Sequence, residues 1–253
     1  VWIIMALTHP GLQLMAITSE SGNLPAARTA NNALKILEHM GRDDIPVAQG
    51  LSRPLAREYP SDPYSHGEDG LGNHFFPEPV LRLSPVSAPQ MIIDIVAANP
   101  GEVTLVCTSC LTNVAAAFLM RPDIIPMIRE IYHLGGAYGI TEYAFRNATG
   151  DNPMSEWNIY VDPEAAKLVY ESPVKITSIG LDIAFNPHAV NIGEETLRKL
   201  RALNNRQSRY ALEIIDYIDR NNSISDQNIF INGPIDTTAM CCFICPEIMT
   251  DIR

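Results

Sequence analysis

Apolar positions along this chain follow two rhythms in turn. Short apolar runs at Leu12–Thr18, Ile45–Ala48, Thr104–Thr108, Ile131–Leu134 and Val174–Ile183 predict strands. Between them, Ala27, Ala30, Leu34 and Leu37 recur at helical spacing. Pro25 opens that helix as a first-turn proline and Gly41 stops it. Met91–Ala98, Val114–Met120, Thr196–Leu203, Ser208–Arg220 and Asp236–Ile244 also predict helices. Trp157–Val161 reads as extended, and Asp162-Pro163 opens a helix with Asp at the N-cap and Pro in the first helical position. Residues 51–78 and Ala137–Ser155 carry no period and read as functional loops.

The alternation predicts an α/β fold: one open, mainly parallel sheet with helices on both faces. Ligands of such sheets sit at the carboxyl ends of the strands, where the polar segments 19–23, 107–113, 135–156 and 182–188 fall. Val1–Leu7 is an apolar helix without a capping residue or first-turn carboxylate, and Arg253 follows directly on the last helix. Residues 1–253 therefore read as a single domain, with a strand expected before Val1 and further strands after Arg253.

Composition narrows the class. The 253 residues carry a net charge of −11, with 46% apolar and 19% charged residues. That balance argues for a soluble globular enzyme. It argues against phosphate-backbone binding, so no nucleic-acid partner is expected. No apolar run reaches the ~18–20 residues that span a bilayer, so no membrane partner is expected. No secretory signal opens the chain, and five cysteines fit a reducing compartment; a cytoplasmic location is the expectation. Cys107-x-x-Cys110 and Cys242-x-x-Cys245 lie too far apart for a zinc ribbon and read as small buried hydrophobes.

Four constellations carry candidate chemistry. Glu156 and Asn158 lie two apart, so in an extended segment both leave one face and can bind a vicinal diol; the same pair can equally cap the next helix. His66 stands in a loop with three glycines in seven residues, His66–Gly72, where it can polarise a leaving group or simply be solvated. Thr108–Asn113 ends a strand and exposes oxygens suited to a hard cation, or caps a helix. Asp236 leads an apolar helix as its N-cap or as a metal ligand.

In order, these segments resemble the inosine-uridine-preferring nucleoside hydrolase family. Ala16–Asn23, the His66–Gly72 loop, Thr104–Asn113, Leu134–Ala137 and the block Glu156-Trp-Asn-Ile-Tyr-Val-Asp-Pro-Glu-Ala-Ala166 carry the likeness. The resemblance implies hydrolysis of the N-glycosidic bond of ribonucleosides to base and ribose, assisted by Ca²⁺. It implies that Asn23, Glu156 and Asn158 hold ribose and that His66 lies near the leaving base. Asn147 or Asn152 would add a further ribose contact. The Thr112 carbonyl and the Asp236 carboxylate would bind Ca²⁺. The sequence leaves a homo-oligomer open. Three departures stand out. The family's D-x-D-x-G-x-D-D run, which supplies the water-activating Asp, does not occur in this sequence and is expected just before Val1. Ile235 stands where many members place a His, and the C-terminal strands are not present. The chain by itself is therefore expected to bind Ca²⁺ poorly and not to hydrolyse nucleosides.

Overall fold

The computed structural model describes residues 1–62, 66–145, 155–186, 188–190, 192–222, 235–250 and 252. Helix α1 (Trp2–Thr8) leads into strand β1 (Ile17–Thr18), helix α2 (Ala26–Met40) and strand β2 (Val47–Ala48). After a long loop come α3 (Ala88–Ala98), β3 (Thr104–Cys107), α4 (Thr112–Met120) and β4 (Glu130–Leu134). Then follow α5 (Trp157–Val161), α6 (Pro163–Tyr170), β5 (Ile176–Ile179), α7 (Leu181–Ala184), α8 (Glu194–Leu203), α9 (Arg206–Asn222) and α10 (Thr237–Ile244).

Every ladder among the described residues is parallel. The strands do not form one sheet, however. β1 pairs β2, and β3–β4–β5 form a separate sheet. Side chains alternate across β4 as strand geometry requires. Ile131 packs with α3, α4 and α6, while Tyr132 and Leu134 pack with α7 and α10. Helices thus cover both faces of the three-stranded sheet. α1, α2, β1 and β2 share another core around Leu37, Val47 and Tyr210.

Local signals explain several element ends. α2 stops where Gly41 takes a left-handed φ of 70° that a side chain would resist. Asp162 caps α6 through the Ala165 N–H at 3.0 Å, with Pro163 in the first turn. Of the expected strand Leu12–Thr18 only Ile17–Thr18 forms, and two further expectations fail. Trp157–Val161 is helical, because the Glu156 carboxylate accepts the N–H groups of Asn158 and Ile159 and so caps α5. The expected strand Val174–Ile183 is limited to β5, and its end turns into α7 at Gly180.

Bonds through Asn113 help hold the two sheets together. Its side-chain N–H donates to the Ser19 carbonyl (2.6 Å), its Oδ1 accepts from Leu51 N–H (3.1 Å), and its own N–H donates to Glu20 (2.8 Å). Asp162 is fully buried and ties the 51–62 loop to the same region, accepting from Leu55 N–H and the Thr112 hydroxyl.

Candidate functional site

A cleft of about 270 Å³ lies between the two sheets. One wall is β1 and its following loop, from Ile17 to Asn23; the facing wall is β3 and its turn, from Val106 to Cys110. Both β1 and β3 present their inner edges to this gap. The walls approach closely at one end, where a Cβ on Gly22 would collide with Ser109. This is the carboxyl end of parallel strands, where ligand sites of α/β folds gather.

The cleft brings together three of the residues singled out from the sequence: Asn23, His66 and Asp236. Asn23 follows β1; its Oδ1 lies 3.3 Å from His66 Nε2 and its Nδ2 donates to Asp62 at 3.1 Å. Asp69 shapes the His66 loop by accepting the N–H groups of Leu71, Asn73 and Phe75. Gly72 there has a φ of 72° and lies against the Tyr217 ring of α9. Asp236 precedes α10, but its side chain makes no capping bond. Burial raises its carboxyl pKa, while the neighbouring His66 pulls it down.

Glu20 also lines this cleft and was not singled out from the sequence. Its carboxyl pKa is pushed up to about 8 by desolvation, with the Asn113 N–H pulling down and the Asp162 charge pushing up. The available signal was its position, a lone acid at the end of a strand among Ser, Gly and Asn.

Glu156 and Asn158 sit elsewhere. Glu156 lines a second cavity of about 420 Å³ with Gly136, Tyr138, Lys167 and Tyr170. Its carboxylate accepts three backbone N–H groups: Asn158, Ile159 and Gly136 (2.9–3.1 Å). Asn158 donates to the Leu134 carbonyl at 2.8 Å. The extended, same-face geometry expected of this pair is therefore corrected: both turn to the end of β4, and Glu156 serves as a helix cap. Burial raises the Glu156 carboxyl pKa; its three N–H partners oppose this, and the Asp236 charge adds to it. Asn147 and Asn152 lie outside the described residues.

The metal assignment can be tested on the donors. Thr112 is buried, and its hydroxyl donates to Asp162 at 2.7 Å. As the first residue of α4, its carbonyl runs down the helix axis. Among the described residues no group of three or more His, Cys, Asp or Glu converges on one point. Asp236 and Thr112 alone do not fit a hard cation, which takes six to eight oxygens. The five cysteines are free thiols in β3, in its turn and at α10; burial raises Cys107 to about 12 and Cys242 to about 11.

Fold and cleft define an α/β protein with a polar-lined cleft at the carboxyl ends of two facing parallel edges. The chain belongs to the family described as inosine-uridine preferring nucleoside hydrolase, which it matches over residues 1–253. The members of this family bind a metal ion. The chain is 36% identical over 215 residues to a pyrimidine-specific ribonucleoside hydrolase, RihA, of Shewanella baltica (strain OS185). That match covers 85% of this chain and 64% of the relative, so it spans a little under two thirds of the relative's length. RihA of Photobacterium profundum is also 36% identical, over 85% of this chain and 66% of its own. Among solved structures, a plant nucleoside hydrolase, PpNRh1, superposes with a TM-score of 0.83 at 30% identity, covering 97% of this chain and 74% of that one. A purine-preferring ribonucleoside hydrolase from Gardnerella vaginalis superposes with a TM-score of 0.85 at 26% identity, over 97% and 76%. Among the described residues no helix is long and apolar enough to cross a membrane.

Proposed function

We propose that this chain supplies the sugar-holding side of an enzyme that hydrolyses the N-glycosidic bond of ribonucleosides. The observation that carries this reading is the convergence of Asn23, His66 and Asp236 on one cleft at the strand ends. An amide, an imidazole and a carboxylate offer both donors and acceptors to the hydroxyls of ribose. Holding the sugar fixed contributes orientation toward the scissile bond. Developing positive charge on the sugar ring, the hallmark of glycosidic cleavage, gains from the nearby Asp236 and Glu20 carboxyl groups whenever they are ionised.

The metal we assign is Ca²⁺, with Asp236 as one of its ligands and Thr112 beside it. The remaining donors and the water-activating carboxylate belong to a further parallel strand. We place that strand between the open edges of β1 and β3, below the strand ends where Asn23, His66 and Asp236 meet and the ligand is held. Glu156 and Asn158 keep their assignment as ribose contacts, with Glu156 near enough to Asp236 to feel its charge. A non-catalytic relative that binds ribosides or a protein partner is the second reading, favoured by the incomplete cation site among the described residues.

The experiment is a ribose-release assay on inosine and uridine with the 253-residue chain alone, beside calorimetric titration with Ca²⁺ and ribose. The expected result is no turnover, weak Ca²⁺ binding, and riboside binding that Asn23→Ala abolishes. Turnover by the chain alone overturns the assignment of the missing carboxylate. Riboside binding unaffected by Asn23→Ala overturns the cleft.

A further inference from the structure

Asp62 lies in the 51–62 loop behind Asn23, and the two are tied at two points. The Asp62 N–H donates to the Asn23 carbonyl (3.1 Å), and Asn23 Nδ2 donates to Asp62 Oδ2 (3.1 Å). We infer that Asp62 is a positioning residue that fixes the polarity of the Asn23 amide and, through it, the tautomer of His66.

The argument is one of donors and acceptors. An ionised carboxylate only accepts, so the Asn23 NH₂ must face Asp62. Oδ1 is then the end turned to His66 Nε2, 3.3 Å away. An amide oxygen only accepts, so Nε2 must carry a proton. The neutral ring is left with an unprotonated Nδ1. In this state His66 offers a ligand an acceptor, suited to a sugar hydroxyl. It offers no acid for a leaving base. Asp62 thus selects for a hydroxyl-bearing ligand one bond away from itself. The inference deepens the ribonucleoside reading and rests on it for the ligand, but the tie between Asp62 and His66 stands on geometry alone.

The test separates the two. Asp62→Asn keeps the size and the hydrogen-bonding reach of the side chain but lets either end of its amide face Asn23, so the polarity is no longer imposed. Nitrogen-15 NMR of the 253-residue chain, at a pH where His66 is neutral, reads the tautomer from its two ring nitrogens. The expected result is a single Nε2–H form in the parent and a mixture in both Asp62→Asn and Asp62→Ala, with the folded spectrum otherwise retained. Asp62→Glu restores the single form. An unchanged tautomer in Asp62→Asn overturns the inference. Inosine titration followed on the Asn23 side-chain amide gives the second readout, with affinity about 5- to 10-fold weaker in Asp62→Asn. A tautomer that responds to Asp62 while inosine leaves Asn23 unmoved in the parent supports the tie and overturns the ribonucleoside reading.

Discussion

Two polar regions flank the ends of the strands, and they use their hydrogen bonds in opposite ways. At Glu156 and Asn158 the polar atoms are engaged by backbone: three N–H groups on one carboxylate and a carbonyl on the amide. At Asn23, His66 and Asp236 the partners are other side chains, and the Asp236 carboxylate has no capping bond. A group bonded to backbone stabilises the fold, whereas a group held by side chains can exchange partners with a ligand. The first region looked the more functional in sequence; in the folded chain the second has the freer chemistry.

The sharpest way to break this contrast is to remove the saturated carboxylate. Glu156→Ala leaves three N–H groups without their acceptor, two of them at the start of α5. Orphaned buried donors and a lost N-cap together predict a loss of roughly 3–4 kcal/mol. Urea denaturation of parent and variant measures it. A loss below about 1 kcal/mol would show that Glu156 is not committed to the fold.

His133 extends the same logic beneath the cleft. It is fully buried, with Nε2 3.1 Å from the Ser109 carbonyl and Nδ1 2.8 Å from the Tyr170 hydroxyl. Desolvation lowers its pKa to about 4, against the pull of the Ser109 carbonyl. Below an unfolded value near 6.5 the unfolded chain binds a proton that the folded chain refuses. Stability therefore falls as pH drops from about 6.5 to 4, by about 3 kcal/mol from this group, and levels off below that. In His133→Gln this part of the acid limb is absent. Parallel pH-stability curves for parent and variant would refute the assignment.

What the sequence made legible was local. Gly41, Asp162-Pro163 and the helical spacing of α2 act within a turn of themselves, and each stands where the pattern put it. Trp157–Val161 misled because Trp157, Ile159 and Val161 alternate as a strand does, while the decisive contact is the Glu156 side chain folding back on its own backbone. The reading of Val174–Ile183 ran through Gly180 because an apolar run alone does not mark where a strand yields to a helix. Glu20 and Asp62 were invisible for a different reason. Their partners, Asn113 and Asn23, lie 93 and 39 positions away, and only the fold makes them neighbours. Family motifs located Asn23, His66 and Asp236, but not the residues that hold them in place.

The smallest expected effect sharpens the contrast from the other side. Asn23 is only part-buried, and its amide bonds one carboxylate and one imidazole, both of which can turn to water when it is removed. Asn23→Ala should therefore cost no more than about 1 kcal/mol, since partners that regain solvent lose little with the hydrogen bond. Yet it takes from the cleft the residue through which Asp62 orients His66, so riboside binding should vanish while urea denaturation barely moves. That combination, set beside a strongly destabilised Glu156→Ala, would place recognition at the gap between the sheets. A strongly destabilised Asn23→Ala would instead make the Asp62–Asn23–His66 chain part of the scaffold and erase the distinction between the two regions.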